Sequence, residues 1–174
     1  MVELIRFFVD VALLRRVPQD LPASPFLLKT LLALNLLLNI PLAMTVFETP
    51  LDAVLATLLE LVATAALLFA GLQARGKSSR WEQSFCALLG LGVLAAVVTI
   101  GYRALTALLG VPQLAGLLDL ALFLWMMLAM AHVVRHTFEI PLPFGILIVF
   151  AYTMFVLGLI AQWFAPEMVA QSSP

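Results

Sequence analysis

The chain has 174 residues, nine Lys or Arg against ten Asp or Glu, and a net charge of −1. Hydrophobic residues make up 64% of it, with a mean hydropathy of +1.12; soluble domains hold about 45–50%, so a water-soluble globule is excluded and lipid must cover the surplus. The near-neutral balance excludes a basic field for nucleic acid, and the single cysteine, Cys86, excludes an internal disulfide and two-cysteine metal or redox motifs.

Residues 1–17 read as a short interfacial amphipathic helix. Glu3, Arg6 and Asp10 recur at three- and four-residue spacing and share a face, while Leu4, Ile5, Phe7, Phe8, Val11 and Leu14 cover most of the rest. The segment is too short and too charged to span. It suits either the membrane interface, with Arg15 and Arg16 toward anionic headgroups, or a seat under the bundle. It lacks the pattern of a cleavable signal, so the first span is expected to serve as an uncleaved targeting signal. Residues 18–25 form a proline-rich elbow: Pro18, Pro22 and Pro25 fix φ and remove donors, which predicts extended chain, with Ser24 as N-cap and Pro25 as first helical residue.

Residues 26–166 hold five unbroken apolar runs, near 26–47, 51–73, 85–109, 114–134 and 142–164. Each supplies the ~20 residues needed to cross about 30 Å of hydrocarbon, and unbroken blocks exclude the alternation of a β-barrel. The fold class is therefore all-α, a polytopic membrane protein of five transmembrane helices behind an interfacial helix. Pro50, Pro112, Pro141, Pro143 and Pro166 mark span ends, whereas Pro41 lies inside the first run and predicts a bend there. Residues 167–174 form a short tail.

Basic residues segregate. Arg6, Arg15, Arg16, Lys29, Arg75, Lys77, Arg80 and Arg135 all fall on one side of five alternating spans, and Arg103 is the exception. The positive-inside rule then predicts a cytoplasmic N-terminus and a periplasmic C-terminus, in a bacterial inner membrane.

Ionisable groups within spans are costly, which makes them the first place to look for function. Glu60 lies about nine residues, roughly 14 Å, inside the second run. Thr57 and Thr64 flank it on one stripe, and Asn35 and Asn39 stand at similar depth on the first run. The expected cluster is Glu60 hydrogen-bonded to Asn35 or Asn39, either as a proton- or cation-binding carboxylate or as interhelical glue. Arg103 and Asp119 stand at matching depth on antiparallel third and fourth runs, predicting an interhelical salt bridge, with Thr99 and Thr106 placed to accept further donors. That bridge either staples the hairpin or lines an outer cavity. His132 and His136 at i, i+4, followed by Glu139, have ligand-like spacing but lack the H-E-x-x-H glutamate, and they suit a helix C-terminus; no metal and no cofactor is expected. Trp81 and Trp163 read as interface anchors and Tyr152 as packing. Gly90, Gly92 and Ala96 permit close helix approach. No catalytic motif is present, and a non-enzyme is expected.

The amphipathic start, the run Val17-Pro18-Gln19-Asp20-Leu21-Pro22 and the five spans resemble the Yip1-domain membrane proteins, particularly small bacterial members; Asp20-Leu21 and Gly101-Tyr102 match fragments of the longer eukaryotic signatures. The resemblance implies a membrane-organising or protein-interaction role, with lipid and other membrane proteins or further copies of itself as partners. The small-GTPase partners of eukaryotic members are not implied, for want of a long N-terminal domain. The alternatives are a proton- or ion-coupled transport subunit using Glu60, and a haem-binding electron-transfer anchor using His132 or His136.

Overall fold

Local chemistry sets the helix ends. In the computed structural model, which describes residues 2–164, Ser24 Oγ accepts from Leu27 N (3.4 Å) and Pro25 is the first residue of its helix. Thr49 works harder: its hydroxyl accepts from Asp52 N (3.1 Å) and donates to Asp52 Oδ2 (2.6 Å), so hydroxyl and carboxylate fix each other ahead of Pro50. At the other kind of end, Glu139 adopts a left-handed conformation (φ 54°, ψ 52°), and Ile140 N closes back on Arg135 O.

Six helices result: α1 Val2–Ala12, α2 Pro25–Ala43, α3 Pro50–Ala74, α4 Trp81–Leu108, α5 Gln113–Phe138 and α6 Leu142–Phe164. Single 3₁₀ turns occupy Pro18–Asp20 and Ser78–Arg80. No strand occurs among the described residues, and α2 to α6 are each long and apolar enough to cross a membrane. The protein is an all-helical, multi-pass membrane protein.

Several boundaries differ from expectation. The elbow is not wholly extended, because Pro18–Asp20 coils into one turn with Leu21 N donating to Pro18 O. Helix α2 stops at Ala43, short of the expected 47, with Pro41 inside it in the last turn. Helices α4 and α5 run past the apolar runs, to Trp81 and Phe138. Their 28 and 26 residues measure about 42 and 39 Å at 1.5 Å per residue, which exceeds the ~30 Å hydrocarbon layer. Pro166 and the expected 167–174 tail lie outside the described residues.

Helix α4 is the hub, packed against α1, α2, α3 and α5; α6 completes the far wall by touching α3 and α5. Connections 75–80 and 139–141 share one end, here the basic end. There Glu139 pairs with Lys77 and, at 2.6 Å, with Arg80, while Arg75 Nη1 donates to Phe138 O (3.1 Å). The elbow sits at the same end: Gln19 donates to His136 O and Gln83 to Leu21 O, both at 2.8 Å.

Helix α1 is packed into the bundle, not simply laid on lipid. Phe7, Phe8, Val11 and Ala12 are buried with Leu89, Leu91, Ala129 and Val133 in one apolar core. Trp125, halfway along α5, donates to Ala12 O (2.9 Å). Glu3, Ile5 and Arg6 stay exposed. The chain turns back at Leu14, whose φ is 62°, so the helix occupies residues 2–12 rather than the expected 1–17. What makes the seat is Gly90, where a Cβ would come within 2.0 Å of the Phe8 ring.

Candidate functional site

A cavity of about 980 Å³ is walled by α3, α4, α5 and α6, with α2 contributing Asn35 and Asn39. All five residues of the expected polar cluster, Asn35, Asn39, Thr57, Glu60 and Thr64, line it. The rest of the wall is apolar: Met126, Met127 and Met130 on α5, Phe85, Leu88 and Gly92 on α4, and Tyr152, Phe155 and Val156 on α6. A smaller cavity of about 260 Å³ continues toward the other end, past Thr99 to Arg103. The two meet at Asn39, Thr57, Glu60 and Ile160, which line both.

The expected hydrogen bonds within the cluster do not form. Asn35 Nδ2 donates to Leu89 O on α4 (3.4 Å), and Asn39 Nδ2 donates to Asn35 O (3.0 Å). The reason is close approach: Gly92 has no side chain, and a Cβ there would lie 2.6 Å from Asn35 Nδ2. Helix α2 therefore turns its Leu27, Leu31 and Asn35 side toward α4 instead of offering an amide to α3. The threonines are satisfied within their own helix, Thr57 Oγ1 by Ala53 O and Thr64 Oγ1 by Glu60 O, each at 2.8 Å.

The Glu60 carboxylate is left without a hydrogen-bond or ion-pair partner among the described residues. Glu60 is an exposed residue and lines both cavities. The other ionisable side chains on either wall are Tyr152, Arg75 and Arg103. Tyr152, expected only to pack, does more. Its hydroxyl meets Thr64 Oγ1 at 2.5 Å and donates to Glu60 O at 3.3 Å, tying α6 to the backbone beside the carboxylate. Only the pairing of α3 with α6, which lie far apart in sequence, reveals this.

Arg103 and Asp119 are brought together. Arg103 Nη2 donates to both carboxylate oxygens at 3.0 and 3.1 Å, and the Tyr102 hydroxyl donates to Oδ1. The pair is partly exposed, at 41% and 38%. Thr106 does not accept from the guanidinium as expected; its hydroxyl donates to Arg103 O (3.1 Å), because i+3 spacing on a helix brings it under that carbonyl. Arg75 is likewise committed, to Phe138 O.

His132 and His136 lie edge to face with centroids 4.5 Å apart, and His132 Nε2 is 3.1 Å from Arg16 O. Glu139 turns away from them to Lys77 and Arg80. No group of three His, Cys, Asp or Glu side chains suited to a metal occurs among the described residues. Trp81 is not a free interface anchor: its ring stacks on Phe85 and its Nε1 donates to Ala65 O (3.1 Å). Cys86 is fully buried in the α4 core.

No protein-family model matches the chain, and no curated protein or solved structure is found similar to it.

Proposed function

We propose that this chain is a non-enzymatic membrane protein that binds and passes a proton or cation at Glu60, as a transport subunit. One observation carries the reading: an acidic side chain without a protein partner stands near mid-span where two cavities meet. A carboxylate used as interhelical glue spends its oxygens on a neighbouring helix. Glu60 spends none, so its neutralising partner is supplied from outside the fold. Arg103, held by Asp119, lines the smaller cavity beyond Glu60 and would serve as an outer gate. Charge segregation supports placing the basic end in the cytoplasm of a bacterial inner membrane, with the C-terminus across it; a reporter fused at Pro174 that is active in the cytoplasm overturns that orientation.

The transport reading is tested by reconstitution into vesicles loaded with a pH-sensitive dye. The wild type dissipates an imposed proton or cation gradient, and Glu60→Gln abolishes the flux while eluting as the same assembled species. Equal flux from wild type and variant sinks the proposal.

The membrane-organising role implied by the Yip1-domain resemblance is a second reading, supported by the exposed Glu3, Ile5 and Arg6 of α1. Two surfaces it could have used are spent inside the fold, since Gly90 and Gly92 pack on Phe8 and Asn35. It predicts specific co-purifying membrane proteins that are lost on Arg6→Glu; unchanged capture counts against it.

A further inference from the structure

The size and chemistry of the main cavity are out of proportion to a proton or a metal ion. A volume of about 980 Å³ stands at the upper end of the ~300–1,000 Å³ typical of sites for drug-sized molecules. A bare ion would need a cluster of oxygens, and the wall offers mostly carbon and sulfur. Resting on the transport reading above, we infer that the occupant is a lipophilic organic cation, an amine or quaternary ammonium or phosphonium carried on a bulky apolar body.

Three features of the wall fit such a molecule. Met126, Met127 and Met130 supply an unbranched, polarizable surface from α5 that adapts to irregular apolar shapes. Phe123, Tyr152 and Phe155 present rings, whose faces attract a cation that has shed its water. Among the described residues, Glu60 is the only acidic one on the wall. It is matched by no cation inside, because Arg103 is held by Asp119 and Arg75 sits at the basic-end mouth on Phe138 O. Charge complementarity therefore selects a positive ligand, and the apolar remainder selects a large one. An acyl chain or a neutral apolar molecule would fill the same volume without giving Glu60 a partner.

The route in also fits. Phe123 and Phe155 are wall residues near the middles of α5 and α6 that remain exposed on the bundle. The cavity thus opens sideways at membrane depth, where a lipophilic cation is concentrated by partition.

The test uses two probes of the same shape and opposite charge, tetraphenylphosphonium and tetraphenylborate, with the full chain purified in detergent. Equilibrium binding is expected to be saturable for the phosphonium and absent for the borate, with only the phosphonium raising Tm. Glu60→Gln should weaken phosphonium binding at least about tenfold, the loss of one charge contact in a low-dielectric site. Ala151→Trp, on an exposed wall position of α6, should weaken it comparably by filling space with the charge intact. Equal binding of both probes, or undiminished phosphonium binding by Glu60→Gln, overturns the inference. Failure of the phosphonium to bind, while Glu60-dependent flux of protons or inorganic cations persists, overturns the substrate class and leaves the transport reading standing. Loss of both removes both.

Discussion

Replacing Gly90 by alanine tests whether α1 is docked in the bundle, and the structure sets both sign and size. A Cβ at Gly90 would lie 2.0 Å from Phe8 Cε1, with two further ring atoms at 2.3 and 2.5 Å. To reach ordinary contact at 3.4 Å the ring must retreat about 1.4 Å, and Phe8 is only 6% exposed. If the ring stays inside, overpacking costs about 1–3 kcal/mol. If it is expelled, the lost burial of one phenyl ring costs about 1.5–3 kcal/mol. Against either stands the intrinsic preference for alanine in a helix, about 0.5–1 kcal/mol. The net expectation is destabilisation by about 1–2 kcal/mol. Gly101, on the same helix with nothing within 4 Å of its Cβ position, is the control: there alanine should stabilise by about 0.5–1 kcal/mol. Thermal unfolding in detergent reads both variants. Trp125 fluorescence reports the α1 end directly, through its bond to Ala12 O. Phe8→Ala opens a cavity that the Gly90→Ala methyl enters, so the double variant should recover part of the loss. If Gly90→Ala stabilises as Gly101→Ala does, α1 is not seated on α4 and lies in the interface instead.

Other consequences follow from the polar contacts. Asp119→Asn should lower stability by about 1 kcal/mol, since the pair is partly exposed, and exchanging the two charges as Arg103→Asp with Asp119→Arg should restore most of it in the same unfolding assay. Tyr152→Phe removes the contacts to Thr64 and to Glu60 O and should cost about 1–2 kcal/mol; an unchanged melting curve would show that α6 is held by apolar packing alone. The Glu139 carboxyl is held below the usual carboxylate range, first by its hydrogen bond from Lys77 and then by Arg80. A depressed folded-state value means the clamp is complete at neutral pH and is lost only as pH falls through that value. Limited proteolysis of 75–80 should therefore accelerate in Glu139→Gln at pH 7, and in the wild type only under acid conditions.

Much of the architecture was legible because lipid simplifies the code. Five apolar blocks set five helices, and prolines marked where four of them begin. Helix α5 outran its block because His132, Arg135 and His136 face protein and the basic end, where a charged last turn costs little. The site was half legible. Depth along each span placed Arg103 level with Asp119, because a tight connection joins consecutive helices and leaves little freedom. It also put Asn35, Asn39 and Glu60 on one cavity wall. Depth says nothing of rotation about a helix axis, and rotation decided the hydrogen bonds. Gly92 drew Asn35 onto α4, and the non-consecutive contact of α3 with α6 brought Tyr152 to Glu60.

The distribution of partners among the acids sharpens the case for Glu60. Asp10 pairs with Arg16 at 3.5 Å, Asp52 with the Thr49 hydroxyl, Asp119 with Arg103 and Tyr102, and Glu139 with Lys77 and Arg80. These positions are near helix ends or in connections, where water would have made a partner dispensable. Glu82 has a buried oxygen without one, but it stands in the first turn of α4, where free amides favour an anion. Glu60 is eleven residues into a span of twenty-five, where a charged side chain costs about 2.5–3.5 kcal/mol on insertion scales. A fold selected for stability alone would pair the deepest acid first, yet among the described residues Asp10, Asp52, Asp119 and Glu139 have partners while the deep Glu60 has none. On the proposed reading, the neutralising group arrives as a proton or with a cation in the cavity, which places the cost of Glu60 in the unliganded protein and its relief in the bound state. Ligand binding and stability are coupled through this one side chain. Glu60→Gln should accordingly raise the Tm of the empty protein while abolishing the further rise that a bound cation gives the wild type. A variant that lowers the empty protein's Tm would mean that the carboxylate is already satisfied within the fold, and the transport reading would fall with it.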